Sequence, residues 1–121
     1  MAGELNVNVN IRHAKVPQIS FAASMQIDQT GTGVFVQAVD VGTSAETLAF
    51  ADITTPHVVI LWNLDDTNFV EFGVDDTGTQ QTIGKLMPGG LPAIIPWSPG
   101  SLLSLQADTA ACKVHVQVYE A

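Results

Sequence analysis

Four aspartates in two short turns come nearest, by type and spacing, to a site that could do chemistry. Asp65 and Asp66 precede one apolar segment, and Asp75 and Asp76 follow it. Clustered carboxylates bind Ca²⁺, so convergence of the two turns at one end of a sheet would make a cation site. The spacing lacks an Asp-x-Asp-x-Asp-Gly loop with its terminal glutamate, and aspartate in a turn bonds its own backbone. We therefore predict solvated turns and no metal ligands.

The remaining reactive side chains do not form a recognisable catalytic or zinc-binding set. His13, His57 and His115 are far apart and lack metal-ligand spacing. No Gly-x-Ser-x-Gly elbow is present. Cys112 falls on the apolar side of an alternating segment, where a thiolate is disfavoured. The sequence therefore predicts no catalytic residues, no cofactor and no enzymatic activity.

The two tryptophans are candidate contacts for a partner. Trp62 shares its alternation with Ile60 and Leu64, which predicts a core position. Trp97 lies at a loop edge between two prolines, at 96 and 99, so it is either an interface anchor or a lid on the domain's own core. Flat aromatic faces also stack on sugars, which keeps a carbohydrate-binding module open as an alternative.

Charge narrows the range of partners. Twelve acidic and four basic residues give a formal net charge of −8, and the basic residues form no cluster. Affinity for nucleic acid and for anionic membranes comes largely from lysine and arginine, so neither is expected as a partner. Charged residues make up 13% of the chain, about half of the usual share. Such a neutral surface is suited to burial against another protein.

Length and cysteine content predict one domain held together by packing. The chain has 121 residues, of which 46% are hydrophobic, and its single cysteine allows no internal disulfide. The first residues lack a basic segment followed by an apolar run, and no stretch approaches the roughly 20 apolar residues of a membrane span. We expect a protein made in the cytoplasm and not exported.

Alternation with period two dominates the sequence and predicts strands. It is clearest at 5–12, 19–28 and 112–119, and the segments 34–41 and 57–64 are apolar on both faces, which is typical of central or interface strands. Residues 46–51 favour a short strand over one helical turn opened by Thr43 and Glu46. Further strands are predicted at 68–74, 81–87, 91–97 and 102–107.

Turn residues between these segments set the fold class. Asp65-Asp66-Thr67 is predicted to close a hairpin, and other turns recur every eight to twelve residues. The expected fold is all-β, a β-sandwich or jelly roll of about eight or nine short strands with no major helix. We expect a single domain over residues 1–121, with 1–4 as a flexible N-terminal arm.

Four ordered segments in the second part of the chain carry a family resemblance. They are LAFADITTP at 48–56, WNLDDTNFVEFGV at 62–74, KLMPGG at 85–90 and LQADTAA at 105–111. Residues 48–121, about three fifths of the chain, resemble a group of small virion-associated proteins encoded by tailed phages and prophages. Within the second segment, Asn63 and Asn68 bracket the acidic turn and are placed to bond its backbone.

The resemblance implies a structural role on a virus particle and no catalytic residues. The expected function is a capsid decoration or cement protein on the virion surface, with a small tail or neck component as the alternative. The implied partners are the major capsid protein and copies of the chain itself, as a homo-oligomer. The first third lacks the shared segments, so its ladder of Asn6, Asn8 and Asn10 is predicted as a partner-binding edge, together with an apolar patch at Trp97.

Overall fold

The computed structural model describes residues 5–11, 14–15, 21–27, 34–50, 53, 55–98 and 100–120. These residues form ten strands and no helix, which confirms the all-β class. The strands are β1 (Leu5–Ile11), β2 (Phe21–Ile27), β3 (Val34–Val41), β4 (Glu46–Leu48), β5 (Pro56–Asn63), β6 (Val70–Asp76), β7 (Thr79–Leu86), β8 (Ala93–Pro96), β9 (Leu103–Ala107) and β10 (Cys112–Glu120). No helix long and apolar enough to cross a membrane occurs in this part of the chain.

The chain divides into two compact units. The first comprises Met1–Thr32 with Ala121, and its described strands β1 and β2 form an antiparallel pair running from Leu5 opposite Ile27 to Ile11 opposite Phe21. The second unit, Gly33–Glu120, contains the other eight strands. A single domain over residues 1–121 stays a prediction, and the expected arm at 1–4 lies outside the described residues.

The second unit is a sandwich of two four-stranded antiparallel sheets. One sheet has the order β3-β10-β5-β8 and the other β4-β9-β6-β7. Alternate residues of β10, from Cys112 to Val118, are buried and share one hydrophobic core with Leu103 and Leu105 of the opposite sheet. Because side chains alternate along a strand, each sheet contributes one apolar face to this core. The predicted β-sandwich is confirmed.

In the sandwich, the strand pairs enclose one another in sequence, with the β6–β7 hairpin as the innermost pair. That hairpin pairs consecutive strands, and outside it β5 pairs with β8, β4 with β9, and β3 with β10. The strands of the second unit therefore follow the order of one long, folded antiparallel ribbon, in which each successive strand pair belongs to the other sheet. The jelly roll, as the finer form of the predicted sandwich, stays a prediction.

Two local predictions have different outcomes. Within the segment 46–51, residues Glu46–Leu48 form a short strand, β4, and the Glu46 carboxylate accepts a hydrogen bond from the Gly42 backbone N–H at 2.7 Å instead of capping a helix. The hairpin predicted at Asp65-Asp66-Thr67 is wrong, because β5 and β6 belong to different sheets. A polar turn signals that the chain changes direction, whereas long-range contacts decide with which strand the next segment pairs.

A bulge opposite Gly73 shapes the β6–β7 hairpin. The pairing skips Ile83, since Phe72 faces Gly84 and Gly73 faces Thr82. A Cβ atom at Gly73 would lie 1.9 Å from the Gln81 carbonyl oxygen, so the close approach at this bulge requires glycine.

Candidate interaction surfaces

The predicted asparagine ladder lies on β1, in the first unit. Asn6, Asn8 and Asn10 are exposed, and they lie opposite Gln26, Ser24 and Ala22 of β2. Asn6, Asn8 and Asn10 share one face of β1, because alternate residues of a strand point the same way. Asn8, Asn10 and their neighbours also line a shallow depression of about 320 Å³. The hairpin thus presents a polar, uncharged face.

Trp97 is a lid on the core of the sandwich. Only 8% of its surface is exposed, and its ring meets Phe50 edge-on at a centroid distance of 6.5 Å. The indole N–H donates to the carbonyl oxygen of Ser101 at 3.2 Å, so the one polar atom of the ring has a partner. Of the two roles open at this position, the structure matches the lid, and the ring itself offers little surface to a partner.

Trp62, by contrast, is exposed, and its predicted core position is wrong. It retains 47% of its accessible surface, and Leu64 is equally exposed. The neighbouring residues Leu61 and Asn63 point inward instead. Because β5 is apolar on both faces, alternation alone could not decide which face would meet the core.

Trp62 belongs to a surface of the β3-β10-β5-β8 sheet on which apolar side chains of β3, β5 and β8 flank the polar outward residues of β10. One row runs across all four strands from Val36 through Gln117 and Ile60 to Ile94, and Trp62 lies opposite His115 in the next row. Val36 is 53% exposed and Ile94 is also exposed. We call this surface the outer apolar face, defined by Val36, Ile60, Trp62, Leu64 and Ile94. Apolar side chains gathered on one side of a sheet are typical of an interaction surface.

Charge on this face is confined to one end and balanced. The Lys113 ammonium lies 3.0 Å from the Asp40 carboxylate, and both side chains are well exposed. An exposed ion pair contributes little to stability. Its effect here is to leave the outer apolar face without an unbalanced charge in a chain whose net charge is −8.

The corresponding face of the opposite sheet is polar and internally hydrogen-bonded. The Ser104 hydroxyl donates to Gln80 at 2.6 Å, and the Thr82 hydroxyl donates to the Glu71 carboxylate at 3.2 Å. Lys85 lies over the Phe69 ring with its Nζ 4.4 Å from the centroid. Exposed apolar side chains also occur in or beside this sheet, at Ile83, Met87 and Leu102, but here hydrogen-bonded polar side chains accompany them. The two sides of the sandwich therefore differ in composition.

The two acidic turns do not come together. They lie at opposite ends of β6, which has seven residues, so about 20 Å of strand separates them. Among the described residues, no three histidine, cysteine, aspartate or glutamate side chains are grouped to hold a metal ion. The expectation that all four aspartates could converge is wrong, because an extended strand keeps the turns apart.

The first acidic turn is ordered by its own side chains. The Asp65 carboxylate accepts hydrogen bonds from the backbone N–H groups of Asn68 and Thr67, which lower its pKa below the ordinary value of 3.8. Asn63 Nδ2 donates to the carbonyl oxygens of Asn68 and Leu86, and its Oδ1 accepts from the Asp65 N–H. The predicted bonding of the turn's backbone is confirmed for the Asn63 side chain, whereas Asn68 contributes its backbone N–H and its side chain accepts a hydrogen bond from the Thr109 hydroxyl.

Cys112 lies in the core, as the alternation of apolar and polar residues along 112–119 predicted. Burial raises the pKa of its thiol, and the nearby carboxylates of Asp65 and Asp108 add to this effect. Because the thiolate is the reactive form, these surroundings oppose nucleophilic or metal-binding chemistry at the only cysteine of the chain. Of the histidines, His57 is exposed and His115 lies on the sheet face beside Trp62, whereas His13 is outside the described residues.

Comparisons with known proteins identify no relative. No family model, no curated protein and no solved structure matches the chain.

Proposed function

We propose that this chain is a structural protein of a tailed-phage particle, acting as a capsid decoration or cement protein. It would bind the outside of the head and bridge neighbouring copies of the major capsid protein. Its partners would be that protein and copies of itself, and it would be made in the host cytoplasm. The role is mechanical and involves no catalysed reaction.

The asymmetry between the two sides of the sandwich carries the proposal. The outer apolar face contains exposed aliphatic and aromatic side chains, whereas the outward residues of the opposite sheet include the hydrogen-bonded Ser104 and Thr82 beside the exposed Ile83. An exposed tryptophan with Ile60 and Leu64 on its own strand side is the kind of anchor around which protein interfaces form. The resemblance of residues 48–121 to virion-associated proteins points to a particle as the partner, and Trp62 and Leu64 lie within the resembling segment.

A cement role follows from mass action. A protein that binds only the assembled shell stabilises it by RT ln(1 + [L]/Kd), and many copies on one particle multiply the effect. A compact sandwich with one apolar and one polar side is suited to this task. The apolar side would lie against the shell, and the polar side would face water.

Particles from cells that encode this chain provide the test. We expect quantitative mass spectrometry to find hundreds of copies per particle, and we expect particles lacking the gene to break at lower temperature. Six or twelve copies would instead indicate a tail or neck component, the alternative that shares the same resemblance. Absence of the chain from purified particles would contradict both roles.

The carbohydrate-binding alternative has less support. It depended on two aromatic faces, and the Trp97 ring is covered by its own core. Trp62 remains available, but it supplies one aromatic face where the alternative called for two. A glycan array without hits would remove this role.

A further inference from the structure

The four edge strands of the sandwich differ in how well they are protected against pairing with another strand. An unprotected edge presents a row of backbone N–H and C=O groups that another chain can bond. Natural proteins block such edges with short strands, proline, lysine or bulges. The edges here are β3 and β8 in one sheet, and β4 and β7 in the other.

Three of these edges carry a blocking feature. The strand β8 has four residues and ends at Pro96, and β4 has three residues. The strand β7 has eight residues, but it is interrupted by the bulge at Ile83 and contains Lys85. Each of the three is therefore a poor template for a further strand.

The edge of β3 is the least blocked, since its only charged residue, Asp40, lies near one end and is paired with Lys113 of the neighbouring strand. It has eight residues, pairs with β10 along its whole length without a register shift, and contains neither proline nor lysine. No other described strand pairs with its second side. Val36, Gln37 and Ala38, at its centre, are all exposed. This edge is open to β-augmentation, in which an added strand supplies the missing hydrogen bonds.

We propose that β3 pairs antiparallel with β3 of a second copy across a two-fold axis at Gln37, joining two sandwiches through one continuous sheet. Such an axis, perpendicular to the sheet, keeps the inner faces of both copies on the same side. It places Val36 opposite Ala38 on the outer side and Phe35 opposite Val39 on the core side. The outer apolar faces of the two copies would then lie side by side as one surface.

Charge argues that the occupant is a second copy. Two chains with a formal net charge of −8 repel each other, so they can associate only where few charges meet. The eight residues of β3 contain one charged side chain, Asp40, and Lys113 of the same copy neutralises it at 3.0 Å. In the proposed register the two Asp40 side chains lie at opposite ends of the paired strands. Self-pairing along β3 thus brings no unbalanced charges of the two copies together.

Sedimentation of the isolated protein tests the pairing. We expect a species of about twice the 12.8 kDa chain mass at micromolar concentrations. Changing Val36→Lys and Ala38→Lys together places like charges directly opposite each other, which should raise the dissociation constant more than about tenfold. The control Thr79→Lys with Ile83→Lys adds the same charge to the β7 edge and should leave the dimer intact. Thermal melting checks that each variant is folded.

A cysteine at the axis gives an independent readout. In the proposed register, Gln37→Cys brings two thiols face to face, so mild oxidation should yield a disulfide-linked dimer. Ile83→Cys, equally accessible on β7, should remain uncrosslinked under the same conditions. A monomer at every concentration, a dimer insensitive to the lysines, or a dimer without crosslinking at position 37 would each overturn the proposal.

This inference concerns the isolated chain and does not depend on the proposed function. A monomeric chain that is abundant on particles would overturn self-pairing and leave the decoration role standing. A dimer that is absent from particles would support self-pairing and contradict the decoration role. The wild type could be a monomer, and the lysines on β3 could abolish only binding to particles. In that case a partner protein supplies the strand that pairs with β3, and pairing with a second copy is excluded.

Discussion

Asn63 is a buried polar residue that connects three parts of the sandwich. Its side chain bonds the backbone of the acidic turn at Asp65, the start of the following segment at Asn68 and the end of β7 at Leu86. Every buried polar side-chain atom in the described residues has a hydrogen-bond partner, and the Asn63 amide is among them. The ordered set of bonds explains why a turn between two sheets keeps one conformation.

Replacing this residue should be costly. Asn63→Ala leaves buried backbone groups without partners, and we expect it to lower the free energy of unfolding by about 2–4 kcal/mol. Urea denaturation measures the change. The control Thr109→Ala removes one exposed hydrogen bond, from the Thr109 hydroxyl to the Asn68 side chain, and should cost less than about 0.5 kcal/mol. Equal effects from the two variants would contradict a structural role for Asn63.

Asp65 should make stability depend on pH. Its pKa is lowered in the folded protein by the Asn68 and Thr67 N–H groups, so its stabilising effect is complete above the unfolded value near 3.8 and is lost as pH falls through the folded pKa. We expect Asp65→Asn to be less stable than wild type at pH 7, and the gap to close below pH 3.8. Urea denaturation at several pH values measures it.

The control for this prediction lies in the same turn. Asp66→Asn removes an equal charge, but the Asp66 carboxylate accepts only a side-chain bond from the Thr67 hydroxyl. Its effect at pH 7 should therefore be smaller. A difference between Asp65→Asn and wild type that stayed constant down to the acid limit would show that the backbone hydrogen bonds do not favour the charged carboxyl.

At the scale of elements, the β6–β7 turn contains a strained residue. Asp76 and Thr79 are paired, so Thr77 and Gly78 form a two-residue loop, with φ angles of 51° and 89°. Positive φ at both positions suits a type I′ turn, for which Asn-Gly is favoured. Threonine is β-branched and pays a steric cost in this region, whereas asparagine tolerates it.

We therefore expect Thr77→Asn to stabilise the protein by about 0.5–1 kcal/mol, because it relieves this strain at an exposed position. The change should appear as a higher melting temperature in calorimetry. Thr79→Asn, placed in the strand directly after the turn, should be neutral or destabilising, since asparagine is disfavoured in strands. A gain from both substitutions would point to a general effect of asparagine and not to the turn.

The elements themselves were predictable from the sequence, whereas their partners were not. Alternation is a local property, so β1, β2 and β10 could be placed from residue types alone. Sheet membership depends on contacts between distant residues, and for this reason the turn at 65–67 was misread as a hairpin. The inward face of β5 was equally undetermined, since both of its faces are apolar and pairing with β10 fixes the choice.

The same reasoning explains which candidate surface residues were anticipated. Asn6, Asn8 and Asn10 could be placed on a polar strand face because apolar residues alternate with them. Trp97 directly follows a strand, and its burial against Phe50 depends on contacts between distant residues. The residues around Trp97 in the sequence therefore do not indicate this burial. The open edge of β3 was invisible as well, because an edge exists only once the strand order of the sheet is known.

At the scale of the whole molecule, few charges are distributed so that one side of the sandwich remains apolar. A net charge of −8 keeps the chain soluble while restricting association to regions where charges are sparse or balanced. Two such regions adjoin, the outer apolar face and the free edge of β3, and Val36 belongs to both. A pair of copies joined at β3 would therefore offer a partner one enlarged apolar surface.

The contribution of this surface to particle binding can be measured with one substitution. Trp62→Ser removes an exposed aromatic side chain, so we expect little change in folding stability but at least a tenfold loss of occupancy on particles that lack the native gene copy. Ile83→Ser removes a side chain that is even more exposed, at 66%, from the polar sheet and should leave occupancy unchanged. Gel densitometry of particles purified after addition of each variant gives the ratio. Equal occupancy of both variants would exclude the outer apolar face as the contact with the particle.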